Sequence, residues 1–157
     1  MRDKRFVAEH RGGPLKKEQH RQLMQWACVC ARHVLPLYGD KTDPRLEQAL
    51  EIAQKWQHGK ATVGEARQAA FDAIAVARAA TNPVSVAVAR AVGHAVATAH
   101  MADHALGPAL YALKARKLAG QSIEAERNWQ NAQLPTEIRE LVLSARLPKE
   151  KAFKLLE

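Results

Sequence analysis

The chain has 157 residues, a formal net charge of +8 and 47% hydrophobic residues, of which few are aromatic; its pI is near 9.8. That length is about one ordinary domain, able to bury a continuous core without a disulfide or structural metal, and its wealth of alanine, the strongest intrinsic helix former, favours helices over sheets. No run approaches the ~20 apolar residues that span a membrane, and Met1 to Gly13 is charged and lacks an apolar signal core, so membrane and secreted classes are set aside and a cytoplasmic protein is expected.

Residues 1–14 form a basic lead-in ending in Gly12-Gly13-Pro14, which breaks regular structure; it is expected to be flexible, with one helical domain over 15–157. The first helix is predicted from Lys16 to His33, because Leu23, Trp26, Ala27, Cys30 and Val34 recur at three- and four-residue intervals. Asp43-Pro44 opens a second helix as an N-cap carboxylate followed by proline. Its stripe is Leu46, Ala49, Leu50, Ala53 and Trp56, and Gly59 stops it. Thr62 and Glu65 have capping-box spacing, in which each side chain satisfies a free backbone N–H. The third helix follows to Ala80, with Ala66, Ala70, Ile74 and Ala77 inward.

Asn82-Pro83 opens the stretch around which the rest is organised. Between Pro83 and Leu113 the only charged residues are Arg90 and Asp103, and a helix apolar on nearly all sides has to be surrounded by others. A bend is expected at Gly107-Pro108. Beyond it come a segment anchored by Trp129, a helix from Thr136 with Ile138, Leu141, Val142 and Ala145 inward, and a short terminal one from Pro148 in which Ala152, Phe153 and Leu156 dock. The expectation is an all-α, compact single-domain bundle of about six to eight helices around a central Ala/His-rich helix.

The basic residues gather toward the two ends of the chain, which permits nucleic-acid binding, but no recognition motif accompanies them. A basic helical module of that kind is the alternative reading, and its affinity would fall steeply with salt. Cys28 and Cys30, two apart on a helix, project about 200° from each other; they read as core-lining residues.

His100 and His104, four apart, would share one helix face, with Asp103 in reach of His100 and His94 a more distant member. A helical His-x-x-x-His pair can hold zinc when a third ligand arrives. His100, His104 and Asp103 would be the ligands of a metal-dependent enzyme, the further alternative. Met101-Ala102 follows His100, however, so the general base of a His-Glu-x-x-His motif is missing. No nucleophile elbow or glycine-rich phosphate loop occurs either. No catalytic residue, cofactor or metal is therefore assigned. Gly93, His94, Thr98, His100, Asp103, His104, Tyr111 and Lys114 are read as a polar seam, with Asp103 orienting His100 or pairing with Arg90 or another arginine, since a buried unpaired carboxylate is costly.

Trp26-Ala27-Cys28-Val29-Cys30-Ala31 with Val34-Leu35-Pro36-Leu37, Trp56 before Gly59, and Gly93-His94-Ala95-Val96-Ala97-Thr98-Ala99-His100 followed by His104-Ala105 carry a resemblance to the Imm-five-like immunity proteins of bacterial polymorphic toxin systems. Tyr111, Lys114, Trp129-Gln130 and Leu134-Pro135 with Ile138-Arg139 extend it over roughly 15–146. The resemblance implies an all-helical domain that neutralises a toxin by binding it, and it carries no catalytic assignment over to this chain; a non-catalytic protein is expected. An inhibitor of a nucleic-acid-cleaving toxin would usually be acidic, complementing a phosphate-binding cleft. This chain is basic, so a cognate toxin with an acidic face is expected.

Overall fold

The computed structural model describes residues 2–156 and folds them into seven α-helices: α1 (Lys17–Val34), α2 (Pro44–Gln57), α3 (Val63–Ala79), α4 (Pro83–Ala97), α5 (Leu106–Leu118), α6 (Ile123–Ala132) and α7 (Thr136–Ala152). Among the described residues there is no strand, only an isolated bridge between Ala8 and Leu15. The predicted starts are made by the predicted caps. Asp43 accepts from the Arg45 N–H at 2.9 Å, Thr62 and Glu65 close a reciprocal box at 3.0 Å each, and Asn82 accepts from the Val84 N–H at 2.8 Å. Each satisfies a donor that has no partner inside its helix.

α4 is the centre. It packs against α1, α2, α3 and α5, and Ala87, Val88, Ala89, Ala91, Val92, Ala95 and Val96 are all buried. Alanine at so many of these positions lets four neighbours approach one axis closely, so the main core is a mixture of small α3–α4 residues and larger ones such as Leu23, Met24, Trp26, Leu46 and Leu50.

The central stretch does not run as one helix to Gly107. α4 ends at Ala97, ten residues earlier than the expected bend, and the chain turns through 98–101 into a 3-10 turn, Ala102–Ala105, before α5 begins. Pro108 is the third residue of α5, where its missing N–H would have had no intrahelical partner, so it starts the helix instead of breaking it. Pro148, by contrast, does not begin the expected terminal helix: it lies inside α7, on an exposed face where the Ser144 carbonyl can turn to solvent.

The described part of the lead-in expected over 1–14 folds back on itself and, through Leu15, onto the start of the helical domain. Leu15 donates to the Val7 carbonyl at 3.0 Å, Glu9 donates to the Leu15 carbonyl at 2.8 Å, and Phe6 is fully buried in the main core. Gly13 permits the turn, because a Cβ there would sit 2.1 Å from the Val7 carbonyl oxygen. One aromatic residue among many charges anchors the segment, too weak a pattern for periodicity to register.

α7 buries its expected stripe, Ile138, Val142 and Ala145, in the main core, and a buried polar network ties α6 and α7 on as well. Glu126 accepts from Arg116 at 2.8 Å and pairs with His33 at 2.9 Å. Glu150 accepts from Arg146 at 2.9 Å and from Arg127. Arg146 also donates to Gln130 and Asn131, at 2.7 Å each, while the Trp26 indole donates to the Gln130 carbonyl at 2.9 Å. Gln130 is fully buried. Trp129, the expected anchor, is half-buried and stacks on His33 with ring centroids 3.5 Å apart. The chain end docks chiefly through Leu155, 2% exposed, while Phe153 and Leu156 stay more than a third exposed.

Candidate functional site

The early end of α4 builds the site. Thr98 is fully buried; its hydroxyl donates to the His94 carbonyl at 3.1 Å, and its own carbonyl accepts from the His20 imidazole at 2.6 Å. These bonds pin the corner from which the chain doubles back. The reversal returns His104 to His94, with their Nδ1 atoms 3.2 Å apart. One imidazole donates and the other accepts, so a single proton serves both nitrogens. The His94 ring also lies against Tyr111, centroids 5.3 Å apart, and Tyr111 meets the edge of Phe153.

The structure thus regroups the predicted seam. His100 and His104 do not share a helix face, because His100 sits in the turn and His104 in the 3-10 segment. Their rings still approach to 5.3 Å between centroids. His94, expected to be distant, is the direct partner of His104. Asp103 neither orients His100 nor meets Arg90; its nearest cation is Arg2 at 3.9 Å, and one of its carboxylate oxygens has no partner. Lys114 is half-buried on α5 and lies outside the site. Among the described residues, no three His, Cys, Asp or Glu side chains converge to hold a metal ion.

Burial keeps the imidazoles neutral. It depresses His94 to about 4, helped by the neighbouring His104 and Arg90. His100 and His104 are lowered as well, again chiefly by burial. Both cysteines are free and buried, and burial pushes the Cys28 thiol up to about 12 and the Cys30 thiol further, leaving no thiolate nucleophile at neutral pH.

These rings floor a groove of about 400 Å³ between α3 and the α4–α5 corner. Its apolar lip is Phe71 and Ile74, 58% and 37% exposed. Arg67, Arg78 and Arg90 ring it, and no carboxylate lines it. Sequence reasoning placed Ile74 inward and gave Phe71 and the α3 arginines no role. The available signal was Phe71, a large aromatic residue on the polar side of an otherwise small-residue helix. Gly93 lies on the groove floor, opposite Ala73 and Ile74 of α3.

Gly107 explains how α5 comes so near. A Cβ at that position would lie 2.5 Å from His94 Cγ and 2.7 Å from its Cβ, atoms near the backbone that cannot swing away. Gly107→Ala is expected to displace His94 from His104 and to lower stability by about 1–3 kcal/mol, the usual range for overpacking. Urea denaturation of the variant checks this, and an unchanged midpoint would show that the corner is loosely packed.

Among the described residues no helix is long and apolar enough to cross a membrane. No curated protein and no solved structure matches the chain. A family model does match, over residues 13–137, which takes in the histidine corner, the α3 lip of the groove and both cysteines. The chain therefore belongs to the family described as Imm-5 like putative immunity protein.

Proposed function

We propose that this protein is a non-catalytic immunity protein that neutralises a cognate toxin by binding it through the α3–α4 groove. The observation that carries this reading is the pairing of Phe71 and Ile74, exposed side by side on α3, with three arginines and no carboxylate around them. Large exposed apolar groups mark interaction surfaces, and arginine with aromatic residues is the composition of binding hot spots. The occupant that complements this face is a toxin segment presenting an apolar side chain flanked by aspartate or glutamate. Family membership supports a toxin as the partner, and the neutral, mutually hydrogen-bonded imidazoles beneath the groove support a scaffold role for the histidines.

Co-expression with the product of a neighbouring toxin-like gene tests the proposal. Wild-type protein is expected to restore growth and to co-purify with the toxin. Phe71→Asp, at a position more than half exposed, is expected to leave the melting temperature unchanged and to weaken the complex by about 2 kcal/mol or more, roughly thirtyfold, as for a central hot spot. A folded Phe71→Asp protein that binds and protects as well as wild type would refute the groove as the docking face.

A further inference from the structure

A second cavity, of about 420 Å³, opens on the other side of His100, between the folded-back segment 2–15, α1, α2 and the chain entering α3. Its volume lies in the range of small-molecule sites. Its inner surface includes Phe6 and Leu15, both buried, and the half-buried indole of Trp56. The His20 ring lies 4.8 Å from that indole between centroids, held by its bond to the Thr98 carbonyl. His100 forms part of the wall, and its Nδ1 has no hydrogen-bond partner.

The charge around this cavity is one-sided. Arg2, Arg11, Lys17 and Arg21 line it against one carboxylate, Glu9, whose Oε1 accepts from the Lys17 backbone N–H at 3.3 Å. Arg2 is partly offset by Asp103. Arg11, Lys17 and Arg21 have no carboxylate within salt-bridge distance among the described residues. Unpaired cations at the mouth of a low-dielectric recess focus potential into it and concentrate anions there. Planar rings inside provide stacking surfaces that accept any heterocycle.

We infer that this cavity binds a mononucleotide-class ligand, a planar heterocycle carrying a phosphate, with the ring against Trp56 and His20 and the phosphate between Arg11 and Arg21. The recess suits one nucleotide better than a strand, because segment 2–15 folds across it. Much of this wall, from Arg2 to Arg11, precedes the region matched by the family model. The site is separate from the toxin-binding groove, so either proposal can fail alone.

Calorimetric titration of the full-length protein at low salt, with AMP, adenosine and inorganic phosphate as separate probes, tests the inference. AMP is expected to bind one-to-one, and at least about tenfold more tightly than adenosine or phosphate, since it alone uses both halves of the site. Arg11→Gln with Arg21→Gln should weaken AMP about tenfold or more, the loss of charge-assisted hydrogen bonds. Lys41→Gln with Lys117→Gln removes the same charge from exposed positions before α2 and at the end of α5 that do not line the cavity, and should change AMP binding by less than about twofold, because distant surface charges are screened. Both pairs leave the buried core intact, and equal melting temperatures would verify that. Absence of saturable AMP binding, equal affinity for AMP and phosphate, or equal losses from both charge pairs would each overturn the site. So would tight binding of oligoribonucleotides with no binding of AMP.

Discussion

Glu150→Gln is expected to destabilise the protein by about 3–5 kcal/mol, the range for breaking a buried ion pair by removing one partner. Glu150 is 1% exposed and is the carboxylate shared by Arg146 and Arg127. Glutamine keeps the volume and one acceptor oxygen but removes the charge, so the Arg146 guanidinium, 2% exposed, is left with neutral acceptors alone, that amide oxygen and the Gln130 and Asn131 side-chain oxygens. Those neutral oxygens do not balance its charge, and a buried uncompensated cation is expensive. For a domain of this size the loss corresponds to a fall in melting temperature on the order of 10 °C. The network joins α6 and α7 to the Trp26 face of α1 through Gln130, so the damage should appear as early loss of the α6–α7 amides in hydrogen exchange. The double variant Arg146→Met with Glu150→Leu should recover much of the loss, since replacing both members of a buried pair with apolar residues is often neutral or stabilising. A single variant as stable as wild type would show that the pair contributes nothing net.

Acidification should destabilise the groove through His94. Its folded-state value of about 4 lies below the 6.5 of an exposed histidine, so between those pH values the unfolded chain binds a proton that the native one refuses. Stability then rises with pH: the contribution is complete above about pH 6.5 and is lost progressively as pH falls toward 4. Converting the difference gives roughly 3 kcal/mol over the whole window, and roughly 2–3 kcal/mol between pH 7 and 4.5. The groups facing His94 account for the sign. His104 shares one proton with it, Arg90 adds like charge, and the Tyr111 ring shields it from water. Denaturant titrations at both pH values, on wild type and His94→Gln, isolate the term. The wild type should lose more stability than the variant on acidification, and equal losses would mean that His94 is solvated.

The parts of the fold legible in the sequence were those with local causes. The starts of α2, α3 and α4 followed from Asp43-Pro44, the Thr62–Glu65 box and Asn82-Pro83, because a cap is decided within four residues. The centrality of α4 followed from its lack of charge. The corner at Thr98 was not legible, since an Ala-Thr-Ala-His run continues a helical pattern and the bonds that turn it involve His20, some 80 residues earlier in the chain. Gly107-Pro108 carried the stronger breaking signal but serves a different purpose, namely space for His94. The apolar stripe of α7 was legible, but the polar half of the α6–α7 attachment was hidden for a related reason: Glu126, Gln130, Arg146 and Glu150 look like solvent-facing residues until their partners are known. The groove was hidden because its lip lies on α3 and its floor on α4 and α5, and helical periodicity reports one element at a time.

The most direct measurement is hydrogen exchange on the protein with and without its cognate toxin. The account predicts slowed exchange over residues 67–78 of α3 and over the α4–α5 corner, 97–104, with α6 and α7 unchanged. Protection confined to α6–α7 or to the N-terminal segment, with the α3 amides exchanging as in the free protein, would contradict it.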